Sequence, residues 1–494
     1  MTECIAALDV GTTMVKTCLF SRELVQLECA FCEYPLHFSG KDRVEAEASV
    51  YLDAIRRGFR EVLSRGDYRV IALGFTTQGE TLTAVDENGI ALMPFIVWLD
   101  SRADVQAQKL KKLLPEKEFY ETTGLPLIDG ALPLAKLLYI KEEMPEVFRK
   151  AYRFLLLEDY LIFRFTGNCM CEKALATSSG WFSLKTDSYW KKALDAAGIP
   201  EDKLPRLAEP GTKAGALQTE MAAMLGLPAG IPVVAGAMDQ TSAALASGCN
   251  GEGVITETTG TALVMVACTN SPATERGHRL TVYRHALKGK FLCLGIGPAG
   301  GRSLTWLRDL MSGEESYEGL NRLAGSVPPG ADGVLFMPFL SGIVDPDACP
   351  DASGCFFGLR LGTTQAHLVR SVMEGVGNLL RDFMELFSER ACPVKCVYSL
   401  GGGARSRLWT KIKADMCGVP FITADTPEMA SRGAALLAAW GTGIIKEGTI
   451  PPVKNTETFE PDPDHAKIYE KTRSRYLKLY QALLPVYEGE SENE

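Results

Sequence analysis

The stretch Leu8-Asp9-Val-Gly11-Thr12-Thr13-Met-Val-Lys16 reads as the end of one apolar strand, a tight turn and the start of another. Cys4–Asp9 supplies the first apolar run and Val15–Phe20 the second. Backbone N–H groups and hydroxyls at such a turn suit phosphate oxygens. The pattern returns in the second half of the chain as Gly253–Thr258, the turn Gly260-Thr261, and Leu263–Ala267. Two units of one kind predict a duplicated fold with two similar lobes facing a cleft. Between them, Val234-Ala-Gly-Ala-Met-Asp239-Gln240-Thr-Ser places a lone carboxylate between a strand-like run and small residues that open a helix. A triple glycine, Gly401-Gly402-Gly403, follows another apolar run, Val394–Leu400. One carboxylate among several phosphate-type turns points to phosphoryl transfer, in which positioning and electrostatics around a single base do most of the chemistry.

Composition narrows the classes. A chain of 494 residues is too long for one core, so two large domains are expected, with the boundary between residues 249 and 250, where glycines cluster. Hydrophobic content of 46% and charged content of 23% are ordinary for a folded soluble protein. The net charge of −9 argues against a nucleic-acid partner. No apolar run reaches membrane-span length, and Glu3 and Asp9 leave no basic start for a signal peptide, so a cytoplasmic protein is expected. The 14 cysteines are scattered, many inside apolar runs, and read as reduced, buried thiols.

The periodicity alternates strands and helices, an α/β pattern. Ala46–Ser64 reads as a helix, Val70–Phe75 as a strand, and Leu82–Asp86 and Phe95–Trp98 as further strands. Leu132–Arg164 reads as mostly helical, broken at Pro145, with Ile231–Gly236 returning to strand. Later come helices over Leu304–Met311, Thr364–Glu389, Leu408–Met416, Ala430–Ala439 and Tyr469–Leu484, a strand at Phe421–Thr423, a loop over Gly342–Gly354 and an acidic tail from Glu488 to Glu494.

Seven motifs in order, spanning roughly Ala6 to Gly443, resemble the FGGY family of carbohydrate kinases. They are Leu8 to Lys16, Gly74-Phe-Thr-Thr-Gln-Gly-Glu-Thr81, Ile96-Val-Trp-Leu-Asp-Ser-Arg102, Gly236-Ala-Met-Asp-Gln240, Thr259-Gly-Thr-Ala262, Phe339-Leu-Ser-Gly342 and Gly401-Gly-Gly-Ala-Arg-Ser406. Each alone is weak, and the ordered set is specific. The resemblance implies a two-lobed, actin-like and ribonuclease-H-like ATPase fold whose central cleft closes over ATP, Mg²⁺ and a small polyhydroxylated substrate. The resemblance implies an oligomer, since family members are often dimers or tetramers, with a homodimer among the expected states.

Carried over position by position, Asp239 matches the family's catalytic base, which would accept the proton of the attacking hydroxyl. Read without the motif, it is equally a helix N-cap. The resemblance makes Asp9 a metal-associated carboxylate acting with Asp239 on Mg²⁺. Gly11, Thr12, Thr13 and Lys16 would hold the β- and γ-phosphates, and Gly260 and Thr261 form the second phosphate turn. Gly301, Gly402, Gly403 and Arg407 fall at the nucleotide side. The plainer reading of the glycines is a strand-to-helix turn, and of Arg407 a solvated side chain.

The expected substrate set is Gln78, Gly79, Glu80, Trp98, Asp100, Asp239 and Gln240. Glycerol kinases carry Gln-Arg-Glu-Thr where this chain has Gln78-Gly79-Glu80-Thr81, and xylulokinases carry Gln-Met-His-Gly. Gly79 would leave space in place of the Arg, so a ketose such as xylulose, or a related alditol, is expected over glycerol. A glycerol kinase-like polyol kinase is the alternative. Core packing for Trp98 and a surface position for Glu80 are the plain readings. A different class, an actin-like ATPase or a sugar sensor without kinase output, would have no use for the polar set Glu80, Asp100, Asp239 and Gln240.

Overall fold

The computed structural model describes residues 1–251, 253–274, 280–311, 313–345, 349–390, 392, 394–424 and 428–488. The first sheet is built from β1 (Thr2–Val10), β2 (Met14–Phe20), β3 (Gln26–Glu33), β4 (Tyr68–Thr77), β5 (Lys213–Ala216) and β6 (Pro232–Met238), in the order β5-β6-β4-β1-β2-β3. β1, β2 and β3 run as an antiparallel meander, and β1, β4 and β6 are parallel. The unbroken apolar runs of β1 and β6 follow from burial on both faces. Helix α1 (Ala48–Ser64) covers one face through Tyr51, Ile55, Phe59 and Val62. Further helices are α2 (Pro133–Glu143), α3 (Leu157–Thr166) and α4 (Asp239–Ala246), the last starting directly after β6.

The second sheet repeats the scheme with β7 (Val254–Thr259), β8 (Leu263–Thr269), β9 (Thr281–Arg284), β10 (Phe291–Gly297), β11 (Cys396–Leu400), β12 (Phe421–Ala424) and β13 (Thr456–Phe459). Its order is β9-β10-β8-β7-β11-β12-β13. The run β10-β8-β7-β11-β12 copies β3-β2-β1-β4-β6 in order and direction. The internal repeat read from two Gly-Thr turns is therefore a repeat of five strands. The helices of this half are α5 (Gly301–Leu310), α6 (Gln365–Glu389), α7 (Arg407–Cys417), α8 (Met429–Gly441) and α9 (Pro463–Glu488).

The halves interlock through α8, which packs on the first sheet although in sequence it lies between β12 and β13 of the second. Glycines permit this approach. A Cβ on Gly433 would lie 2.1 Å from the Ser242 carbonyl oxygen in α4, and one on Gly74 in β4 would lie 2.5 Å from that of Ala434. A smaller sheet, with strands at Arg43–Ala46, Leu82–Val85, Phe95–Ile96 and Arg153–Leu156, joins α2 over the cleft side of the first lobe.

Three expectations need correction. Arg153–Leu156 is a strand inside the stretch read as helical; its apolar residues pair with Leu82–Val85 in the smaller sheet, a partnership invisible to local periodicity. The thiols are not all reduced, because Cys18 and Cys29 face each other across β2 and β3 and are joined as a disulfide. The last helix runs past its expected ends, and residues 489–494 of the acidic tail lie outside the described residues, as do 346–348 of the expected loop. No helix among the described residues is long and apolar enough to cross a membrane.

Candidate active site

Two cavities lie along the cleft. The smaller, about 400 Å³, is walled by both halves of the chain: Gln78, Gly79, Glu80, Trp98, Asp239 and Gln240 from the first, and Ala262, Thr281 and Tyr283 from the second. Thr12 reaches into it from the β1–β2 turn. The larger, about 750 Å³, is lined by Gly260, Thr261, Gly301, Gly402 and Gly403, with Trp409 among its walls. The turn Gly260–Ala262 contributes to both.

Asp239 is the first residue of α4, and its Oδ1 accepts the Gln240 amide at 2.6 Å. Burial in the cavity pushes its carboxyl up to about 7, and the neighbouring charge of Asp9 adds to the rise. Asp9 sits at the end of β1, paired in register with Lys16 on β2. Burial raises Asp9 as well, against the Lys16 ammonium 3.1 Å away. Lys16 also reaches Glu428 at 2.7 Å, so the cation expected on phosphate is shared between carboxylates of both halves. Tyr34 fixes the turn from behind by donating its hydroxyl to the Gly11 carbonyl. Thr13 belongs to the same turn, its carbonyl accepting the Tyr34 amide.

Trp98 is 39% exposed, so it is not core. Its Nε1 donates to Thr12 Oγ1 at 2.9 Å, tying one wall of the smaller cavity to the β1–β2 turn. Glu80 has φ of 61°, a left-handed backbone uncommon for its residue type and characteristic of functional sites. Desolvation lifts its carboxyl to about 7, against the pull of Lys136. Gln78 is buried and lines the smaller cavity, with Tyr51 as the side chain nearest to partnering its amide.

The structure revises three positions. Asp100 lines neither cavity. It is fully buried, with its carboxylate on Arg102 at 2.6 Å and on the Val44 amide at 2.6 Å, so it holds the Trp98 loop rather than a ligand. Arg407 turns away from the larger cavity towards Glu457, with its guanidinium over the Phe459 ring, while Arg405 and Ser406 take the lining positions. The space expected beside Gly79 is tight along its Cβ direction: an added Cβ would meet Met238 Sδ at 3.0 Å and Ser178 Oγ at 3.1 Å, side-chain atoms that would have to give by a few tenths of an ångström, while the residue itself lines the smaller cavity.

Sequence reasoning missed Asp129 and Tyr283 in the smaller cavity, and Lys136 behind it. Lys136, wholly buried in α2, donates to the carbonyls of Val97 at 2.9 Å and Glu80 at 3.3 Å. Burial lowers its ammonium to about 8. A lysine in an otherwise apolar helix face was the available signal.

Comparison with known proteins assigns the class. The chain is a carbohydrate kinase: residues 4–246 match the N-terminal domain of the FGGY family of carbohydrate kinases and residues 256–442 its C-terminal domain. Gluconokinase of Bacillus subtilis (strain 168) is 30% identical over 501 residues, covering 98% of this chain and 96% of that protein. Xylulose kinase of Staphylococcus epidermidis (strain RP62A) is 28% identical, covering 97% of each. The crystal structure of xylulose kinase from Rhodospirillum rubrum superposes with a TM-score of 0.89 at 27% identity, over 98% of this chain and all of that one. The chain belongs to the FGGY family, in which ATP binding is inherent.

Proposed function

We propose that this kinase transfers the γ-phosphoryl group of ATP to a hydroxyl of a neutral ketose or alditol larger than glycerol, with xylulose the leading candidate. The charge of the smaller cavity carries this reading. Among the described residues that line it, the carboxyl groups are those of Glu80, Asp129 and Asp239, and there is no Lys or Arg. Hydroxyl groups satisfy such acceptors, whereas the carboxylate of an aldonate would be desolvated among like charges. The gluconokinase relatives make an aldonate the second reading.

In the mechanism that follows, the sugar lies against Trp98 with its hydroxyls on Gln78, Glu80 and Gln240. Asp239 accepts the proton of the attacking hydroxyl and aims it at the γ-phosphate. The turns at Gly11–Thr13 and Gly260–Thr261 hold the phosphates, and Gly301, Gly402 and Gly403 bring backbone against the rest of the nucleotide. Gly301 is a strict fit, since a Cβ there would lie 2.5 Å from the Gly260 oxygen. No group of three or more metal-type side chains occurs among the described residues. Two neighbouring buried carboxylates, Asp9 and Asp239, fit instead a hard cation that keeps waters and phosphate oxygens as its other ligands, which describes Mg²⁺. Bound there, Mg²⁺ would neutralise charge developing on the phosphates. The use of ATP goes with a cytoplasmic location.

ADP release measured over a panel of ketoses, alditols and aldonates tests the reading. A neutral ketose or alditol should give the highest kcat/KM; gluconate or glycerol in first place would overturn it.

A further inference from the structure

The two glycine turns beside the larger cavity share a fully buried ion pair. Lys413, inside α7, and Glu257, on β7, are both 0% exposed, with Nζ 2.8 Å from Oε1. The pair has two further partners. Thr259 Oγ1 donates to Glu257 Oε2 at 2.7 Å and lies 2.7 Å from the Lys413 ammonium. Ser399, on β11, donates its hydroxyl to Glu257 Oε1. Thr259 immediately precedes the Gly260–Thr261 turn, and Ser399 stands two residues before Gly401. Lys413 also lies 5.1 Å from the ring centre of Trp409, which lines the same cavity. The turns touch closely: a Cβ on Gly403 would meet Thr259 Cβ at 2.6 Å.

A buried ion pair is weak evidence for stability, since desolvation offsets much of its attraction. What the pair does link is the two turns, through Thr259 and Ser399. We propose that Lys413 and Glu257 are positioning residues that hold the Gly260–Thr261 and Gly401–Gly403 turns in mutual register for nucleotide binding. The proposal rests on the reading of the larger cavity as the nucleotide site. Nothing in the pair reaches the smaller cavity, and of the turn it holds only Ala262 lines that cavity, so its effect falls on nucleotide affinity rather than on the sugar.

The test compares Lys413→Met with the double variant Glu257→Gln/Lys413→Met, using the full chain. The readouts are ADP affinity by calorimetry, Tm, and the sugar KM. The single variant leaves a buried charge uncompensated and should lose stability. The double variant removes that charge and should regain Tm, yet still bind ADP about tenfold more weakly, the scale of one lost charge-assisted hydrogen bond. Its sugar KM should stay at the wild-type value. ADP affinity that returns together with Tm, or a sugar KM that rises in parallel, would overturn the proposal. Should the double variant not fold, Ser399→Ala removes only one donor; ADP binding unchanged in that variant would equally overturn it. Wild-type protein that binds no ADP would instead sink the nucleotide reading of the cavity, and the proposal with it.

Discussion

Glu158 Oε1 accepts the backbone amide of Gly236 at 2.7 Å, three residues before Asp239. Glu158 is fully buried in α3, and Gly236 sits where the pairing of β6 with β4 loses register. The contact fixes the irregular strand end that leads into Asp239, the proposed base. Gly236 admits no side chain, because a Cβ would lie 1.5 Å from the Phe75 oxygen. Gly236→Ala should therefore cost about 3 kcal/mol or more, beyond ordinary overpacking because the clash is with backbone. Urea unfolding measures it; a variant as stable as wild type would show that β6 can shift without penalty.

Gly79→Arg should reduce kcat/KM for the best sugar by roughly tenfold or more, since Met238 and Ser178 already crowd its Cβ direction. The substitution should not create a glycerol kinase. Steady-state rates on glycerol and on the preferred ketose decide the point, and a gain on glycerol with the ketose rate intact would contradict the packing argument.

Asp100→Ala should act on stability and not on sugar affinity. Removing Asp100 leaves the buried Arg102 guanidinium with Glu45 alone, 2.7 Å away, and takes the acceptor from the Val44 amide, at a cost of about 1–3 kcal/mol. Thermal unfolding together with the sugar KM separates the roles. A large rise in KM at unchanged Tm would return Asp100 to the substrate site.

Asp239 contributes one pH-dependent part of the stability, beside other buried carboxyls raised in the same direction, such as Glu80 and Asp159. Its carboxyl rises from 3.8 to about 7 on folding, so the folded state holds the proton more tightly than the unfolded chain. The associated stability is full below pH 4 and is lost as pH rises through 7. Asp239→Asn removes this penalty, and at pH 8 should stabilise the protein by roughly 1–4 kcal/mol, with little effect near pH 4. Equal stabilisation at both pH values would show that the carboxyl is not perturbed.

The sequence made legible what lies in short contiguous motifs. Gly11–Thr13, Gly260–Thr261 and Asp239 announce themselves because turn, strand and site residue are adjacent. The five-strand repeat was visible only through its first hairpin, because the later strands are separated by long insertions. Residues that act across the fold left little local trace. Tyr283 meets the Gln78–Glu80 segment only when the lobes come together, and Glu257 and Lys413 are 156 residues apart. Asp100 and Arg407 misled for the converse reason. Asp100 sits inside an informative motif and Arg407 directly after one, yet each spends its charge on a side chain that sequence spacing does not reveal.

ATP turnover by Asp239→Asn on the best sugar, at saturating Mg²⁺ and at pH 8, tests the central claim most directly. The variant keeps the shape of the cavity and loses the base. ADP affinity should remain near wild type while kcat falls by a factor on the order of 10² or more, the usual scale for a positioned general base. A variant that binds ADP normally and keeps most of its sugar-dependent turnover would contradict the assignment of Asp239 as the base.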